Sequence, residues 1–126
     1  MNSAVADSSA VLALLQAESG WEAVANYLPH LALSAVNYSE VVAKLAGKGM
    51  PENKVVEVLG GLSLRIIPFD EEQALRSGML RPLSQPLGLS LGDRACVALG
   101  VYLDLPILTT DKAWKSLPLG DIRVVR

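Results

Sequence analysis

The sequence predicts an α/β fold with a central, mostly parallel sheet of about five short strands and helices on both faces. Short apolar runs alternate along the chain with longer stretches whose apolar residues recur at helical spacing. Each run is joined to the next by a helical stretch, which is the connection that parallel strands require. The 126 residues suit one compact domain, 1–126, and the 51% hydrophobic content is sufficient to fill its core.

The predicted strands are apolar runs bounded by turn residues or acids. The last of them is expected to lie at an edge of the sheet. The runs cover residues 3–6, 31–36, 64–68, 105–109 and 122–125.

The predicted helices carry recognisable start signals. Pro51 suits the beginning of a helix, and Asn37 is expected to open one. The pairs Asn37 with Glu40 and Ser90 with Asp93 have the three-residue spacing of a capping box. The helical stretches are 10–16, 20–28, one from residue 37, one from residue 51, 70–83, 90–103 and a short one after residue 111.

Composition excludes several classes of protein. Cys96 is the only cysteine, so neither an intrachain disulfide nor a cysteine zinc cluster can form, and its thiol is expected to be buried. No apolar run approaches the roughly 18 residues of a membrane span, and no basic segment precedes an apolar one at the start. We expect a cytoplasmic protein without membrane association.

Four acids fall at equivalent points of the predicted fold. Asp7 and Asp111 follow strands, while Glu40 and Asp93 lie in the first turns of helices that follow strands or loops. In a parallel sheet these positions share one edge, where such folds bind ligands. Each acid alone is more typical of a helix cap. Together, four carboxylates would repel one another and raise each other's pKa unless a cation compensated them.

Oxygen ligands without cysteine or histidine favour Mg²⁺ or Mn²⁺. With such an ion the acids could support phosphodiester hydrolysis. Asp7 and Asp93 are the expected direct ligands. Glu40 would ligate or orient a water, and Asp111 would hold a second ion or act through water.

Net charge bears on the substrate. The value of −2 argues against a nucleic-acid partner, but setting the four acids aside leaves nine acids against eleven Lys and Arg. The remaining surface is then weakly permissive for RNA. Arg94, Lys112 and Lys115 flank the acids and are candidates for RNA phosphates, with a solvated helix face as the alternative.

Four segments, 5–10, 38–41, 91–95 and 109–112, resemble in order the acidic motifs of PIN domains. The likeness is greatest to VapC-type toxins of bacterial toxin–antitoxin pairs and covers essentially the whole chain. It implies a three-layer PIN-like sandwich and a Mg²⁺- or Mn²⁺-dependent endoribonuclease that inhibits translation or growth when released from its antitoxin. A homodimer and a cognate antitoxin protein are implied as partners.

By the same resemblance, Asp7, Glu40 and Asp93 match the three best-kept acids of the family, and Asp111 matches the more variable fourth. Ser8 and Ser9 match the small hydroxyl positions after the first acid. Cleavage would leave a 5′-phosphate and a 3′-hydroxyl. Thr109 or Thr110 could add a hydroxyl near the metal, although a threonine also suits the end of a strand.

The sequence has two alternative functional interpretations. A receiver-like or phosphatase-like domain needs paired acids after the first strand, which Asp7-Ser8-Ser9 does not supply. A catalytically silent PIN scaffold, acting as a protein- or RNA-binding module, remains open.

The stretch 41–62 contains two apolar-faced helices. They suggest either ordinary core packing or a groove for an antitoxin helix lined by Val55, Val58 and Leu59.

Overall fold

The computed structural model describes residues 2–126 and contains one five-stranded sheet. All neighbouring strands are parallel, in the order β3-β2-β1-β4-β5. The predicted fold class is confirmed. The strands are β1 (Ala4–Ala6), β2 (Leu31–Ser34), β3 (Arg65–Ile67), β4 (Pro106–Thr109) and β5 (Asp121–Val124).

Seven α-helices and two short 3₁₀ segments surround the sheet in the part of the chain that the structure describes. The 3₁₀ segments cover Gln85–Leu87 and Lys112–Ser116. The helices are α1 (Ser8–Gln16), α2 (Trp21–Ala25), α3 (Ala35–Gly47), α4 (Glu52–Gly60), α5 (Glu71–Met79), α6 (Arg81–Ser84) and α7 (Leu91–Leu103).

Alternate residues of β1 point to opposite layers of the molecule. Ala4 and Ala6 belong to a core cluster with residues of α1, α3 and α4, whereas Val5 packs with α7 residues and Trp114. Every residue of β1 and β2 is buried. Strands covered on both faces read as continuous apolar runs rather than alternating ones, which explains the strand signal in the sequence.

The outer strands differ from the central ones. β5 lies at one edge and alternates exposed and half-buried residues, as expected for an edge strand, while β3 at the other edge is mostly exposed. The prediction that the last strand is an edge strand is therefore right.

The start of α3 was predicted wrongly. β2 ends at Ser34, whose Oγ accepts a hydrogen bond from the Val36 backbone N–H at 3.2 Å, and α3 begins at Ala35. Asn37 therefore lies inside the first turn and is buried rather than capping the helix. The apolar run through Ala35 and Val36 concealed the boundary, because apolar residues are compatible with a buried strand and with a buried helix.

The predicted helix 70–83 is interrupted. α5 ends at Met79 and α6 begins at Arg81. Pro82 has no N–H to continue the backbone ladder, so the helix cannot pass through it unbroken. The predicted helix 20–28 is likewise shorter, since α2 covers only Trp21–Ala25.

Two of the three residues predicted to line a groove belong to the core. Val55 and Leu59 are 3% and 4% exposed and face inward from α4, whereas Val56 is 59% exposed. Both side chains pack in the core, and they also line two surface grooves that share Tyr38 and Val56, so core packing does not exclude the groove. No helix within residues 2–126 is long and apolar enough to cross a membrane.

Candidate functional site

The strand order reverses between β1 and β4. On one side of β1 lie β2 and then β3, and on its other side lie β4 and then β5. In open parallel sheets, ligands bind in the crevice beyond the strand carboxyl ends at such a switch point. Asp7 directly follows β1 and Thr109 ends β4. Thr109 Oγ1 donates a hydrogen bond to Asp7 Oδ2 at 2.6 Å, directly across the switch point.

Asp7 is a buried carboxylate, 3% exposed. Its Oδ1 accepts hydrogen bonds from Ser9 Oγ at 2.7 Å and from the Ala10 backbone N–H at 2.8 Å, so it also caps α1. Burial raises the pKa of Asp7 from 3.8 to about 6. The three hydrogen bonds lower the pKa in part, and repulsion from Asp93 raises it.

Glu40 extends from α3 towards the first turn of α7. Asn37 Nδ2 donates one hydrogen bond to Glu40 Oε1 at 2.8 Å and another to the Gly92 carbonyl at 3.0 Å. Gly92 has no side chain, and the Glu40 carboxylate occupies the space where a Cβ would lie. The two helices therefore bring Glu40 next to the residue that precedes Asp93.

Asp93 forms the predicted capping box. Its Oδ2 accepts from the Ser90 backbone N–H at 2.9 Å, and its own N–H donates to Ser90 Oγ at 3.2 Å. Capping does not prevent Asp93 from binding a ligand as well, since the cap uses only Oδ2 of the carboxylate. Cys96, one turn later, is fully buried, as expected.

The Cys96 thiol is buried among apolar residues of the second core cluster, which contains Val5 and Trp114. Burial raises its pKa well above the usual range, and the negative charges of Asp7, Asp93 and Glu40 raise it further. A thiol held protonated in this way is a poor nucleophile.

Asp111 lies farther out. It is exposed, and its Oδ1 caps the following 3₁₀ segment through the Ala113 N–H at 3.0 Å. Its backbone N–H donates to Thr109 Oγ1 at 3.1 Å, so Thr109 connects Asp111 to Asp7. The structure brings the fourth acid to the same edge of the sheet, where it is exposed, whereas Asp7 is buried and Glu40 and Asp93 are half-buried.

The basic candidates differ in exposure. Arg94 is half-buried and donates weakly to the Leu89 carbonyl at 3.4 Å, while Lys112 and Lys115 are exposed. An open cleft of about 540 Å³ beside Asp111 is lined by Ser9, Thr110, Asp111, Lys112 and Arg126.

Sequence reasoning missed two features of this site. Arg126 falls in no motif, and only the path of the chain after β5 brings it to the cleft. Asn37 was interpreted as a helix cap. Its hydrogen bond to the Gly92 carbonyl joins residues 55 positions apart, and no local sequence pattern indicates such a contact.

The residues present suit a divalent cation. The donors are oxygens, one carboxylate is desolvated beside another negative charge, and the buried Asn37 Oδ1 finds no donor among residues 2–126. As they stand, no three acidic, histidine or cysteine side chains in this part of the chain lie close enough to hold an ion together. Mg²⁺ binds through one or two carboxylates and keeps several waters, so a pair of acids is sufficient.

The model of the PIN domain family matches residues 4–119. This chain belongs to the PIN-domain family. Its strand order differs from the flavodoxin-like order 2-1-3-4-5 of receiver-like domains, which excludes a receiver-like fold. No curated protein matches the chain by sequence.

Solved structures share the PIN domain's fold over its whole length. A toxin–antitoxin complex from Klebsiella pneumoniae contains a chain 21% identical to this one, with a TM-score of 0.78 and 98% of each chain covered. A DNA-bound VapBC from Salmonella typhimurium matches with 16% identity, a TM-score of 0.76 and 98% of each chain covered. VapBC-5 from Mycobacterium tuberculosis matches with 19% identity, a TM-score of 0.63, and 100% and 99% covered. Identities this low show a common fold alone.

Proposed function

We propose that this PIN domain is a Mg²⁺- or Mn²⁺-dependent endoribonuclease and the toxin component of a toxin–antitoxin pair. The observation that carries the proposal is the buried Asp7 at the switch point, next to the negative charge of Asp93. Burying a carboxylate that repels a neighbour is unfavourable unless a cation or proton compensates it. Membership of the PIN family supports the same conclusion.

Asp7 and Asp93 would hold the cation, with Glu40 as a ligand or as the group that orients a water. Asp111 would act through water or at a second ion. When bound, a divalent cation polarises a phosphate oxygen and lowers the pKa of a bound water. The hydroxyls of Ser9 and Thr109 fix both oxygens of Asp7, which keeps the carboxylate from turning away from the crevice.

The cleft beside Asp111 is the proposed path for the RNA backbone. Lys112 and Arg126 provide positive charge, and Ser9 and Thr110 provide polar groups at its inner end. Lys and Arg supply most protein contacts to phosphates. Lys115 would extend this surface, whereas the half-buried Arg94 is less free to reach a phosphate.

An antitoxin segment would bind over the exposed apolar surface between α3 and α4. Two adjoining grooves of about 220 and 280 Å³ share Tyr38 and Val56. The amphipathic helix of a partner would insert apolar side chains into both. The chains of similar fold come from toxin–antitoxin structures, which supports such a partner. Val56→Glu should weaken antitoxin binding without unfolding the domain, and unchanged binding would exclude this surface.

A homodimer would use the opposite face, formed by α5 and α7. Leu75, Met79 and Val101 are exposed there beside a groove of about 420 Å³. Contiguous exposed apolar surface of this kind marks a protein interface. Met79→Glu should shift the mass measured by light scattering from dimer to monomer; an unchanged mass would contradict this placement.

The deciding experiment is cleavage of total RNA and of a tRNA pool by antitoxin-free protein, with Mg²⁺, with Mn²⁺ and with EDTA. We expect metal-dependent cuts with 5′-phosphate ends that are lost in Asp93→Asn. Asp104→Asn, an exposed acid at the far end of α7, is the matched control and should retain activity. If wild-type protein cuts no RNA with either metal, the domain is a binding module instead.

A further inference from the structure

Glu40 is held between two helices by residues that carry no charge. Asn37 is 1% exposed in the first turn of α3, and both contacts of its Nδ2 atom lie at that helix crossing. One links it to Glu40 on its own helix, and the other links it to the Gly92 carbonyl, 55 residues away. A single amide group therefore connects the Glu40 carboxylate to the backbone of α7.

Gly92 completes the arrangement from the other side. A Cβ on this residue would lie only 2.5 Å from Glu40 Cδ and Oε1. Such distances do not occur in stable structures, so any larger residue would displace the end of the Glu40 side chain. Gly92 is itself buried and has no positive φ. Space for the carboxylate, rather than backbone conformation, explains a glycine here.

We propose that Asn37 and Gly92 are positioning residues that place the Glu40 carboxylate beside Asp93 before any cation binds. This inference rests on the proposed function, because it concerns how one ligand of that site is prepared. A hydrogen bond from a neutral amide to a carboxylate is charge-assisted. It fixes the orientation of Glu40 while leaving its negative charge available to the cation, which a Lys or Arg would neutralise.

The competing explanation is that Asn37 merely joins α3 to α7. The two explanations differ in what happens when Glu40 is absent. If Asn37 only links α3 to α7, its substitution should still change stability and Mn²⁺ affinity when Glu40 is absent. If Asn37 positions Glu40, its substitution should then have no further effect on Mn²⁺ affinity.

The first test needs no metal and no RNA. Melting temperatures are measured in EDTA for Asn37→Ala and Glu40→Ala, singly and together. If the contact is as described, the two losses are not additive, with a coupling equivalent to about 2–4 °C. Additive losses would overturn the proposal, whether or not the protein is a nuclease.

The second test measures Mn²⁺ affinity by calorimetry. Asn37→Ala and Gly92→Ala should each weaken binding by about 10-fold or more, the usual range for groups that orient a ligand. Combining them should cost little more than either alone, because both release the same carboxylate. In a Glu40→Ala background neither should have a further effect. If Asn37→Ala or Gly92→Ala still weakened Mn²⁺ binding in that background, Asn37 would only link the two helices and the proposal would be overturned.

Ser77→Ala is the matched control. Ser77 is a fully buried polar residue on α5, so its removal perturbs the interior without touching Glu40, and Mn²⁺ affinity should be unchanged. If wild-type protein binds no Mn²⁺, the metal dependence of the proposed function fails, while the melting-temperature cycle still decides the role of Asn37.

Discussion

Asp7 and Asp70 are helix caps with nearly the same local geometry and very different surroundings. Asp7 has φ −89° and ψ 177° and accepts from the backbone N–H of the residue three positions on; Asp70 has φ −85° and ψ −175° and does the same. The oxygen–nitrogen distances are 2.8 and 2.9 Å. Yet Asp7 follows the central strand β1 and is buried, whereas Asp70 follows the edge strand β3 and is exposed.

The difference shows that a cap becomes a candidate ligand through its neighbours. Around Asp7 the strands β2 and β4 exclude water, Thr109 binds its second oxygen, and Asp93 adds a second negative charge. At Asp70, solvent takes the place of these groups. The same local motif therefore only caps a helix at Asp70, whereas at Asp7 it also holds a buried carboxyl group whose pKa is raised.

The largest expected effect is on catalysis. Asp7→Asn should lower RNA cleavage by about 10³-fold, because the central negative oxygen donor of the proposed site is lost. Asp70→Asn should leave the rate within about twofold, since the exposed residue only caps α5. Initial rates with a defined RNA would measure both. Equal losses in the two variants would show that the burial of Asp7 has no catalytic consequence.

The next effect is on stability, where Asp7→Asn should produce a gain rather than a loss. The folded protein holds the Asp7 proton more tightly than the unfolded chain, so its free energy of unfolding falls as pH rises from about 4 to about 6. Above that window, the ionised group costs about 3 kcal/mol. Asp7→Asn cannot ionise, and in EDTA at pH 7 it should be more stable than wild type by ~1–3 kcal/mol after allowance for altered hydrogen bonds.

Urea unfolding at pH 4 and pH 7 would measure this. The advantage of Asp7→Asn should shrink towards pH 4, and saturating Mn²⁺ should stabilise wild type more than the variant. A difference that does not change with pH would show that Asp7 is not strained by its burial.

A smaller effect is expected at the exposed cap. Asp70→Ala leaves a backbone N–H of α5 without its partner and should lower the free energy of unfolding by about 1 kcal/mol, with RNA cleavage intact. Asp70→Asn restores a capping oxygen and should recover nearly all of that loss. Urea unfolding at pH 7 would compare them, and a large loss in Asp70→Asn would indicate a role for the charge itself.

The smallest effect concerns RNA affinity at the cleft beside Asp111. Lys112→Gln with Arg126→Gln should weaken RNA binding several-fold at low salt and reduce the slope of log affinity against log salt by roughly 0.7 per lost phosphate contact. Arg65→Gln removes an exposed cation of β3 and is the control, for which no change is expected. Filter binding across a salt series would measure both, and equal slopes for all three proteins would exclude the cleft.

The apolar runs were sufficient to predict the fold, because strands covered on both faces need continuous hydrophobic sequence. The Ser90–Asp93 capping box was equally readable, since both of its hydrogen bonds are local. Surfaces were less predictable. The periodicity of α4 identified Val55 and Leu59, which pack in the core and line the two grooves, but it did not identify the exposed Val56 that both grooves share.

By itself, the sequence determined the parallel α/β architecture and the gathering of Asp7, Glu40, Asp93 and Asp111 at one edge, because strand direction fixes where the following residues lie. Only the tertiary structure decided how unequal these acids are. Depth, hydrogen-bond partners and repulsion depend on residues distant along the chain, such as Thr109 across the switch point from Asp7 and Gly92 beneath Glu40. Electrostatic energies are set by such distances in space and by the exclusion of water, neither of which is written in local sequence.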